Sequence, residues 1–365
     1  KNIIRVLFFN TFILFIGIII LELLFGDWFF SSNIKQLRLV TNKVTVYDTK
    51  DFYNSQKRYI KNTKDEYGLR GDYPSLNSID ILTVGGSTTA QKYIDDNDTF
   101  QSILQSNFKK DNKEVYVVNA GVDGQSTFGH IKNFDYWFNK LPDLKPKYFL
   151  FFVGVNDFYK DEAYVNDDLI MSNSRSRFII RSIYKRSALY NLYMTIRNIY
   201  FANKFGIVHL SNNKSFTTLD WTNIPNIANY ENVCNKRLRA YENRLQILCD
   251  KVKTYDAKAI FVTQSNRRVY DFIGNKLYGV AELEKYDDYL YNGVDYFNMI
   301  RLYHQSLRKV AEYNQAIFID LDMELKFDIK NDFYDYCHHT PSGNKKIGDY
   351  LFEKLNHLFL TSLSK

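Results

Sequence analysis

The sequence predicts an α/β protein in which a parallel sheet of five strands is covered by helices on both faces and is preceded by an N-terminal transmembrane helix. Two observations predict the sheet: short apolar runs recur along the chain, and segments with helical periodicity separate them. A third observation predicts the membrane helix, because one much longer apolar run lies at the N-terminus.

The long apolar run, IIRVLFFNTFILFIGIIILELLF, covers residues 3–25 and meets the roughly 20 residues needed to cross a bilayer. Lys1 and Arg5 favour a cytoplasmic N-terminus, with the rest of the chain on the other side of the membrane. A signal peptide is the alternative, but its apolar region is shorter and ends in small residues, whereas here Glu22, Asp27 and Trp28 follow the core of the run, Val6 to Leu21. Residues 1–30 are therefore expected to be an uncleaved anchor with an extracytoplasmic domain after it.

Residues 31–77 are polar and aromatic with few long apolar runs, and we expect a stalk that leads into a domain spanning residues 78–365. Two stretches inside that domain, near 158–230 and 269–295, contain no clear strand signal. They are expected to be insertions that carry helices and loops and that frame a substrate cleft.

Five short apolar runs inside the domain are typical of buried strands. They are IDILTVGG (79–86), VYVVNAG (115–121), KYFLFFVGVND (147–157), AKAIFVTQ (257–264) and AIFIDLD (316–322). Amphipathic segments typical of helices lie between them: TFQSILQSNF, HIKNFDYWFNKL, ENVCNKRLRAYENRLQILCDKVKTY and MIRLYHQSLRKVAEYN. Strands that alternate with helices in this way pair in parallel, so functional residues are expected at the edge where the carboxyl ends of the strands meet.

The charge and cysteine content exclude some classes of protein. The formal net charge is +7, but basic and acidic residues are interspersed without a long basic run, so nucleic-acid binding is not indicated. Cys234 and Cys249 lie on one predicted helix, too far apart along its axis to bridge. Three buried or half-buried thiols are expected, while a disulfide between one of these two and Cys337 stays open.

Ser87 follows the first predicted strand within GGSTT and stands where a helix is expected to begin. Its hydroxyl would lie at the sheet edge beside free backbone N–H groups, which is the position of a serine nucleophile. A serine at the start of a helix is also a common N-cap, so its position alone does not decide between the two.

A base for this serine is offered by the segment FYDYCHHTPSGNKKIGDYL near the C-terminus. On a tight turn, a spacing of three residues brings the Asp335 carboxylate to Nδ1 of His338, which leaves Nε2 free to accept a proton. His339 has the same chemistry one residue later and is the competing base. A pair of surface histidines beside a loop carboxylate is the non-catalytic alternative.

Donors for a developing oxyanion are offered by the loops after the second and third predicted strands. Gly124 lies in NAGVDGQST and can supply a backbone N–H, and Asn156 lies in VGVND and can supply a side-chain amide. Each residue type is ordinary in loops. Their order along the chain, with Ser87 before them and His338 after them, favours a shared site.

These four blocks, VGGSTT, NAGVDGQST, VGVND and DYCH, resemble those of the SGNH (GDSL-like) hydrolase superfamily over roughly residues 78–355. The resemblance implies a flavodoxin-like three-layer α/β/α fold. It also implies Ser87 as nucleophile, His338 as base and Asp335 as the acid that orients the base. Four blocks in one order are far more specific than any single block.

For the same family, the oxyanion hole would consist of the Ser87 N–H, the Gly124 N–H and the Asn156 side chain. One position departs from the family pattern, because Gly86 stands where the GDS form has an aspartate. Many members resemble this Gly-Ser-Thr form, so a hydrolase is still expected, whereas lipase-like specificity is less supported.

The resemblance implies a serine esterase, and the acceptor of the acyl group is the open question. Anchored domains of this kind resemble proteins that add or remove acetyl groups on cell-surface polysaccharides, so removal of O-acetyl groups from a glycan is the favoured function. Transfer of an acyl group to a polysaccharide and cleavage of lipid or lysophospholipid esters are the alternatives.

A non-catalytic binding module and a metalloprotein are the rival classes. A member that had lost catalysis would lack Ser87, Asn156 or His338, and all three are present. No cofactor is expected. No metal is expected either, because adjacent histidines such as His338 and His339 seldom share one ion and neither HExxH nor paired CxxC spacing occurs.

Overall fold

The structure is a computed structural model that describes residues 2–26, 28, 34, 37–50, 52–53, 57–169, 187–190, 192–193, 220–266 and 269–359. The chain divides into two compact units. One consists of residues 1–39 and 170–210, and the other consists of residues 40–169 and 211–365. The second unit contains the residues to which the sequence analysis assigned chemistry.

The first unit contains helix α1 (Asn2–Phe25), which coincides with the predicted membrane helix. The helix is long and apolar enough to cross a bilayer, and none of its apolar window is buried. A signal sequence meets the same criteria. Near the end of α1, the Glu22 carboxylate accepts hydrogen bonds from Ser187 Oγ at 2.7 Å and from Ala188 N at 3.0 Å. These bonds join the N-terminal helix to part of the first predicted insertion.

The described residues of the second unit form strands and helices that alternate along much of the chain. The strands are β1 (Lys43–Asp48), β2 (Tyr59–Lys64), β3 (Ile79–Gly85), β4 (Tyr116–Asn119), β5 (Tyr148–Val153), β6 (Trp221–Thr222), β7 (Lys258–Thr263), β8 (Tyr270–Ile273), β9 (Lys276–Val280), β10 (Glu284–Tyr286), β11 (Tyr289–Tyr291) and β12 (Ile317–Ile319). The helices are α2 (Ser87–Ala90), α3 (Phe100–Lys110), α4 (Thr127–Tyr136), α5 (Val155–Tyr159), α6 (Tyr230–Lys253), α7 (Gly293–Tyr313), α8 (Leu321–Glu324), α9 (Ile329–Asp332) and α10 (Pro341–Leu355).

A central sheet of five strands has the order β4-β3-β5-β7-β12, and every neighbouring pair in it is parallel. Numbered within the sheet, this order is 2-1-3-4-5, which is the order of flavodoxin-like folds. Each of the five strands lies inside one of the predicted apolar runs. The predicted fold class is therefore confirmed.

Strand β5 shows why the sheet needs helices on both faces. Alternate side chains of a strand point to opposite faces, and both sets are apolar in β5. The ring of Phe149 packs against Phe134 of α4, with centroids 4.9 Å apart, and the ring of Phe152 packs against Phe100 of α3 at 5.7 Å. Burial of one phenylalanine side chain stabilises the fold by about 1.5–3 kcal/mol, so leaving either face uncovered would be costly.

Strands β1 (Lys43–Asp48) and β2 (Tyr59–Lys64) lie in the segment that the sequence analysis assigned to a stalk, and they pair as an antiparallel hairpin in the same unit as the central sheet. The hairpin binds the segment that follows α2: Lys61 N donates to Asp95 Oδ2 at 3.0 Å, and Thr63 N donates to Asp96 Oδ1 at 3.0 Å. The hairpin contributes backbone N–H groups to these bonds, so its side-chain sequence does not indicate them. Polar composition alone therefore misidentified the segment.

The second predicted insertion, residues 269–295, was expected to carry helices and loops, and this expectation was wrong. Strands β8 and β9 form one hairpin and β10 and β11 form another, while β6 adds to β9. The two-residue turn between β8 and β9 is Gly-Asn, with Gly274 at φ +64°, which is a sequence signal for a hairpin. This hairpin signal was missed because the flanking strands have only three to five residues. Residues 170–186 and 194–219 of the first predicted insertion lie outside the described residues.

All three cysteines are free thiols. Cys234 and Cys249 are buried on α6, and Cys337 is half-buried. The expectation of three unpaired thiols is confirmed, and the disulfide that the sequence left open is not formed in this structure.

Candidate active site

Ser87 begins the short helix α2 directly after the carboxyl end of β3. The tight join requires glycine, because a Cβ at Gly85 would lie 2.8 Å from Thr89 Cβ and 2.9 Å from Phe152 O. Gly86, and not Ser87, occupies the N-cap position of the helix. Ser87 is half-buried, and its hydroxyl makes no hydrogen bond within the described part of the chain. The hydroxyl is therefore not used as a helix cap.

Backbone and side-chain donors surround this serine. Among the described residues, Ser87 N and Gly124 N donate no hydrogen bond, and Gly124 has φ +72°, a conformation that favours glycine. Asn156 Nδ2 donates to Gln125 O at 2.6 Å, and a Cβ at Gly86 would lie 2.3 Å from the same Nδ2 atom. The structure thus brings the loops after β3, β4 and β5 into contact, while the chemical roles of these residues stay predictions.

The fourth block forms the contact that its spacing predicts. His338 Nδ1 lies 2.7 Å from Asp335 Oδ2, and the other carboxylate oxygen accepts hydrogen bonds from His338 N at 2.8 Å and Cys337 N at 3.1 Å. The turn is closed by a bond from Tyr334 N to His338 O at 3.1 Å. A carboxylate held by two backbone N–H groups fixes the ring so that Nδ1 faces it, which leaves Nε2 as the free ring nitrogen.

The pair perturbs the titration of both of its members. Burial alone would raise the pKa of the Asp335 carboxyl, but the hydrogen bonds from His338 and from the backbone lower it. Burial alone would lower the pKa of His338, but negative charge on the Cys337 sulfur and on the Asp335 carboxylate raises it well above the ordinary value of 6.5. The Asp335 carboxylate carries negative charge at neutral pH, so we attribute the raised pKa of His338 to Asp335.

Aromatic contacts join the Asp335–His338 turn to the segment that follows α2. The ring of Tyr334 stacks on His338 with centroids 5.6 Å apart, and its other neighbours include Tyr53 at 5.7 Å. Tyr53 OH donates to Tyr93 O at 2.6 Å. In addition, Gln91 Nε2 donates to Asn344 Oδ1 on α10. The candidate base and the candidate nucleophile are therefore held by one connected network. The hydrogen bond from Ser87 Oγ to His338 is not formed in this structure, as is common before a substrate binds.

His339 is a core residue. It is only 4% exposed, and its ring packs against Phe333 at 4.6 Å and Phe327 at 5.1 Å. Burial lowers the pKa of His339 to about 3. The sequence analysis left His339 open as a competing base, and in the structure it is buried whereas His338 is half-buried.

Sequence reasoning missed Arg70, which lies in the segment taken for a stalk. Its guanidinium is 3% exposed and binds the backbone after the serine: Nη1 donates to Ala90 O at 3.1 Å and Gln91 O at 3.0 Å, and Nη2 donates to Ile94 O at 2.6 Å. Asp96 accepts from Arg70 Nε at 2.7 Å and balances the charge. Arginine satisfies the carbonyls at the end of α2, so it fixes the helix that begins with Ser87.

Gln264, at the carboxyl end of β7, is a second residue that sequence reasoning missed. Its Nε2 donates to Thr88 Oγ1 at 2.6 Å, and its Oε1 accepts from Val155 N at 2.9 Å. The side chain is buried and bridges the residues next to Ser87 and Asn156. Both contacts join residues that are far apart in sequence, so no local motif predicts this role of Gln264.

Acyl transfer through serine needs an accessible hydroxyl and an imidazole fixed by a carboxylate. A half-buried serine after β3 and an imidazole held by a carboxylate, in a unit built on a parallel sheet of flavodoxin-like order, are the features expected of a serine hydrolase of α/β architecture. The model of the GDSL-like Lipase/Acylhydrolase family matches residues 83–346, well over half of the chain. The chain belongs to this family, that of the SGNH hydrolases, and its activity is of the esterase or acylhydrolase type.

Several solved structures are similar to this one at low sequence identity. LAE5, an alpha/beta hydrolase enzyme from the metagenome of Lake Arreo, Spain, is 12% identical, with 78% of this chain and 98% of that chain covered and a TM-score of 0.42. A family 3 carbohydrate esterase from Clostridium thermocellum is 12% identical, with 77% and 96% covered and a TM-score of 0.40. AlinE4, an SGNH-hydrolase family esterase, is 12% identical, with 79% and 98% covered and a TM-score of 0.36. No curated protein sequence gives a significant match.

Proposed function

We propose that this protein is a membrane-anchored serine esterase that removes O-acetyl or other short acyl groups from a cell-surface glycan. The observation that carries the catalytic part of the proposal is the 2.7 Å contact between His338 Nδ1 and Asp335 Oδ2. An imidazole fixed in this way presents Nε2 as a base, and the other three blocks supply a serine and oxyanion donors.

In the first half of the reaction, His338 Nε2 takes the proton of Ser87 Oγ while Oγ attacks the carbonyl carbon of the ester. The oxyanion of the tetrahedral intermediate accepts hydrogen bonds from Ser87 N, Gly124 N and Asn156 Nδ2. Both backbone N–H groups are without another acceptor among the described residues. Asn156 Nδ2 has two hydrogens, of which Gln125 O takes one, so the second is available for the oxyanion.

Collapse of the intermediate breaks the ester bond, and the proton held by His338 passes to the departing sugar oxygen. The acyl group is then bonded to Ser87 Oγ. In the second half, His338 takes a proton from water, the hydroxyl attacks the acyl carbon, and the carboxylic acid leaves as Ser87 Oγ recovers its proton. Asp335 stays ionised throughout and stabilises the charged imidazole, consistent with the lowered pKa of its carboxyl.

Two features support a glycan as the substrate. Tyr159 and Tyr336 are 44% and 41% exposed, and each lies within three residues of a proposed site residue, Asn156 or His338. Exposed tyrosine rings offer an apolar face and a hydroxyl, a combination suited to sugar rings. The N-terminal helix would hold the enzyme at the membrane, with its positive flank inside and the catalytic unit facing the cell surface.

The test uses the full-length chain in detergent, because part of the chain beyond α1 belongs to the same unit as that helix. Nitrophenyl esters of increasing acyl length and an O-acetylated polysaccharide are offered, and Ser87→Ala is the matched control. We expect acetate release from the polysaccharide and faster cleavage of acetyl than of long-chain esters, both lost in Ser87→Ala. A preference for long-chain esters would contradict the glycan assignment. Acetylated acceptor sugar in place of free acetate would identify a transferase.

A further inference from the structure

A cluster of metal-binding side chains lies in the turn that carries the candidate base. Asp335, Cys337 and His338 each offer one ligand atom, these atoms lie within 4.8 Å of one another, and all three residues are half-buried. Cys337 Sγ is 3.8 Å from His338 Nδ1, which is itself 2.7 Å from Asp335 Oδ2. The proposed ester cleavage uses His338 and Asp335 but gives no part to the thiol.

Backbone hydrogen bonds of the turn hold one of the three ligands, the Asp335 carboxylate. Asp335 Oδ1 accepts from Cys337 N and His338 N, which fixes the carboxylate and leaves Oδ2 directed at the imidazole. In a tetrahedral zinc site, bond lengths of about 2.3 Å to sulfur and about 2.0–2.2 Å to nitrogen and oxygen separate the ligand atoms by about 3.3–3.6 Å. The sulfur–nitrogen distance of 3.8 Å is already close to this value. The nitrogen–oxygen distance has to widen by about 0.6 Å, as expected when an ion replaces a shared proton.

The chemistry of the three ligands selects the kind of ion. Thiolate, imidazole and carboxylate together suit Zn²⁺, whereas Mg²⁺ and Ca²⁺ prefer a shell made entirely of oxygen. The fourth tetrahedral position is left for water.

We propose that Asp335, Cys337 and His338 form a binding site for Zn²⁺ whose occupation inhibits the enzyme. A zinc ion on Nδ1 uses the lone pair of that nitrogen, so a neutral His338 must then carry its proton on Nε2. That tautomer has no lone pair on the nitrogen that faces the serine and cannot accept the proton of Ser87. Zinc also takes the Asp335 oxygen that orients the ring. Occupation of the site and catalysis therefore exclude each other.

Binding and inhibition are separate claims, and only inhibition rests on the proposed role of His338. Binding is measured by calorimetric titration of the Ser87→Ala protein with Zn²⁺ alone, and by the thiolate-to-metal absorption of bound Co²⁺. Ser87→Ala leaves the cluster intact, since the Ser87 hydroxyl makes no hydrogen bond in the described part of the chain. We expect one site per chain.

Cys337→Ser is the diagnostic variant and Cys234→Ser is its matched control, because Cys234 is buried on α6 and outside the cluster. In the otherwise wild-type chain, ester cleavage by Cys337→Ser is first measured without zinc, and inhibition is expressed relative to that rate, so a change in the basal rate does not enter the comparison. The zinc affinity of Cys337→Ser should fall by about tenfold or more, because a hydroxyl is a poor zinc ligand. Cys234→Ser should bind zinc as the wild type does.

Two results would overturn the inference. One is equal zinc affinity in Cys337→Ser and wild type. The other is inhibition by Mg²⁺ at the same concentration as Zn²⁺, which would indicate a general effect of divalent ions. Zinc binding without inhibition would refute the inhibitory role, and would also count against His338 as the base. Failure of ester cleavage with zinc binding intact would refute the proposed function alone.

Discussion

Replacement of Gly86 by alanine is expected to slow ester cleavage strongly without weakening substrate binding. The added Cβ would lie 2.3 Å from Asn156 Nδ2 and 2.7 Å from Gln125 O, where ordinary contacts begin at 3.4 Å. The φ of Gly86 is −82°, so the effect arises from these contacts and not from a left-handed backbone. The substitution therefore acts on the amide that we propose as an oxyanion donor.

The size of the effect follows from the distance. The Asn156 amide has to retreat by about 1 Å, and a displacement of that size can cost about 10²-fold in rate. Loss of one oxyanion donor costs about 10²–10³-fold in kcat. Gln125 O is a backbone atom that cannot turn aside, so the bond between it and Asn156 is displaced as well. We expect kcat to fall by about 10²-fold and the protein to lose about 1–3 kcal/mol of stability by overpacking.

The assay measures kcat and KM on a nitrophenyl acetate, together with thermal unfolding of the wild type and Gly86→Ala. The double variant with Asn156→Ala provides the control, because two changes that act through one group are not additive. The double variant should be no slower than Asn156→Ala alone. A kcat for Gly86→Ala within about threefold of wild type would refute the reasoning. So would full activity in Gly86→Asp, which restores the GDS form of the family.

Five further outcomes are expected. His338→Ala should reduce ester cleavage by about 10³-fold or more. His339→Ala should instead lose about 2–4 kcal/mol of stability, while the folded enzyme cleaves esters within about tenfold of the wild-type rate. Abolished activity in His339→Ala alone would contradict the assignment of the base. Asp335→Asn removes the carboxylate that raises the pKa of His338, so the rise of kcat/KM with pH should move to lower pH. The plateau of kcat/KM should fall by about 10³-fold or more. A rise at unchanged pH would contradict this prediction. Arg70→Lys keeps the charge beside Asp96 but loses the fork that binds the carbonyls of Ala90, Gln91 and Ile94, so kcat should fall by about tenfold at nearly constant KM. A wild-type kcat would show that α2 needs no such support. Protease added to intact cells should cleave the catalytic unit, and its complete protection until lysis would reverse the proposed topology.

The sheet and the Asp335–His338 contact were predictable because their signals are local. A strand buried on both faces is a continuous apolar run, and all five runs became strands. A spacing of three residues on a turn likewise determines which carboxylate meets which ring nitrogen. The hairpins of residues 269–295 were missed because a local signal needs a longer strand. Three to five residues show too little alternation of polar and apolar side chains to recognise.

The support of the site was not predictable, because its contacts join residues far apart in sequence. Arg70 reaches residues 90–96 from a segment whose polar composition suggested a stalk. His338 and His339 could not be separated by residue type. They differ because His339 pairs with Phe333 in an antiparallel bridge, which turns its ring into the core while His338 stays half-buried. Neighbouring residues in an extended segment point to opposite sides, so the burial of His339 is a tertiary feature that the spacing from Asp335 does not show.

The bonds of Glu22 bear on how a soluble form of this enzyme could be made. A cut after residue 30 removes the apolar helix, but it also removes the carboxylate that accepts from Ser187, Ala188 and Leu189. Those three donors belong to the same compact unit as Glu22, and they would lose the Glu22 carboxylate as their acceptor. Omission of residues 1–39 together with residues 170–210 would instead remove that unit as a whole. The hairpin from Lys43 onward has to be kept, since it carries the chain to Arg70 and the end of the nucleophile helix.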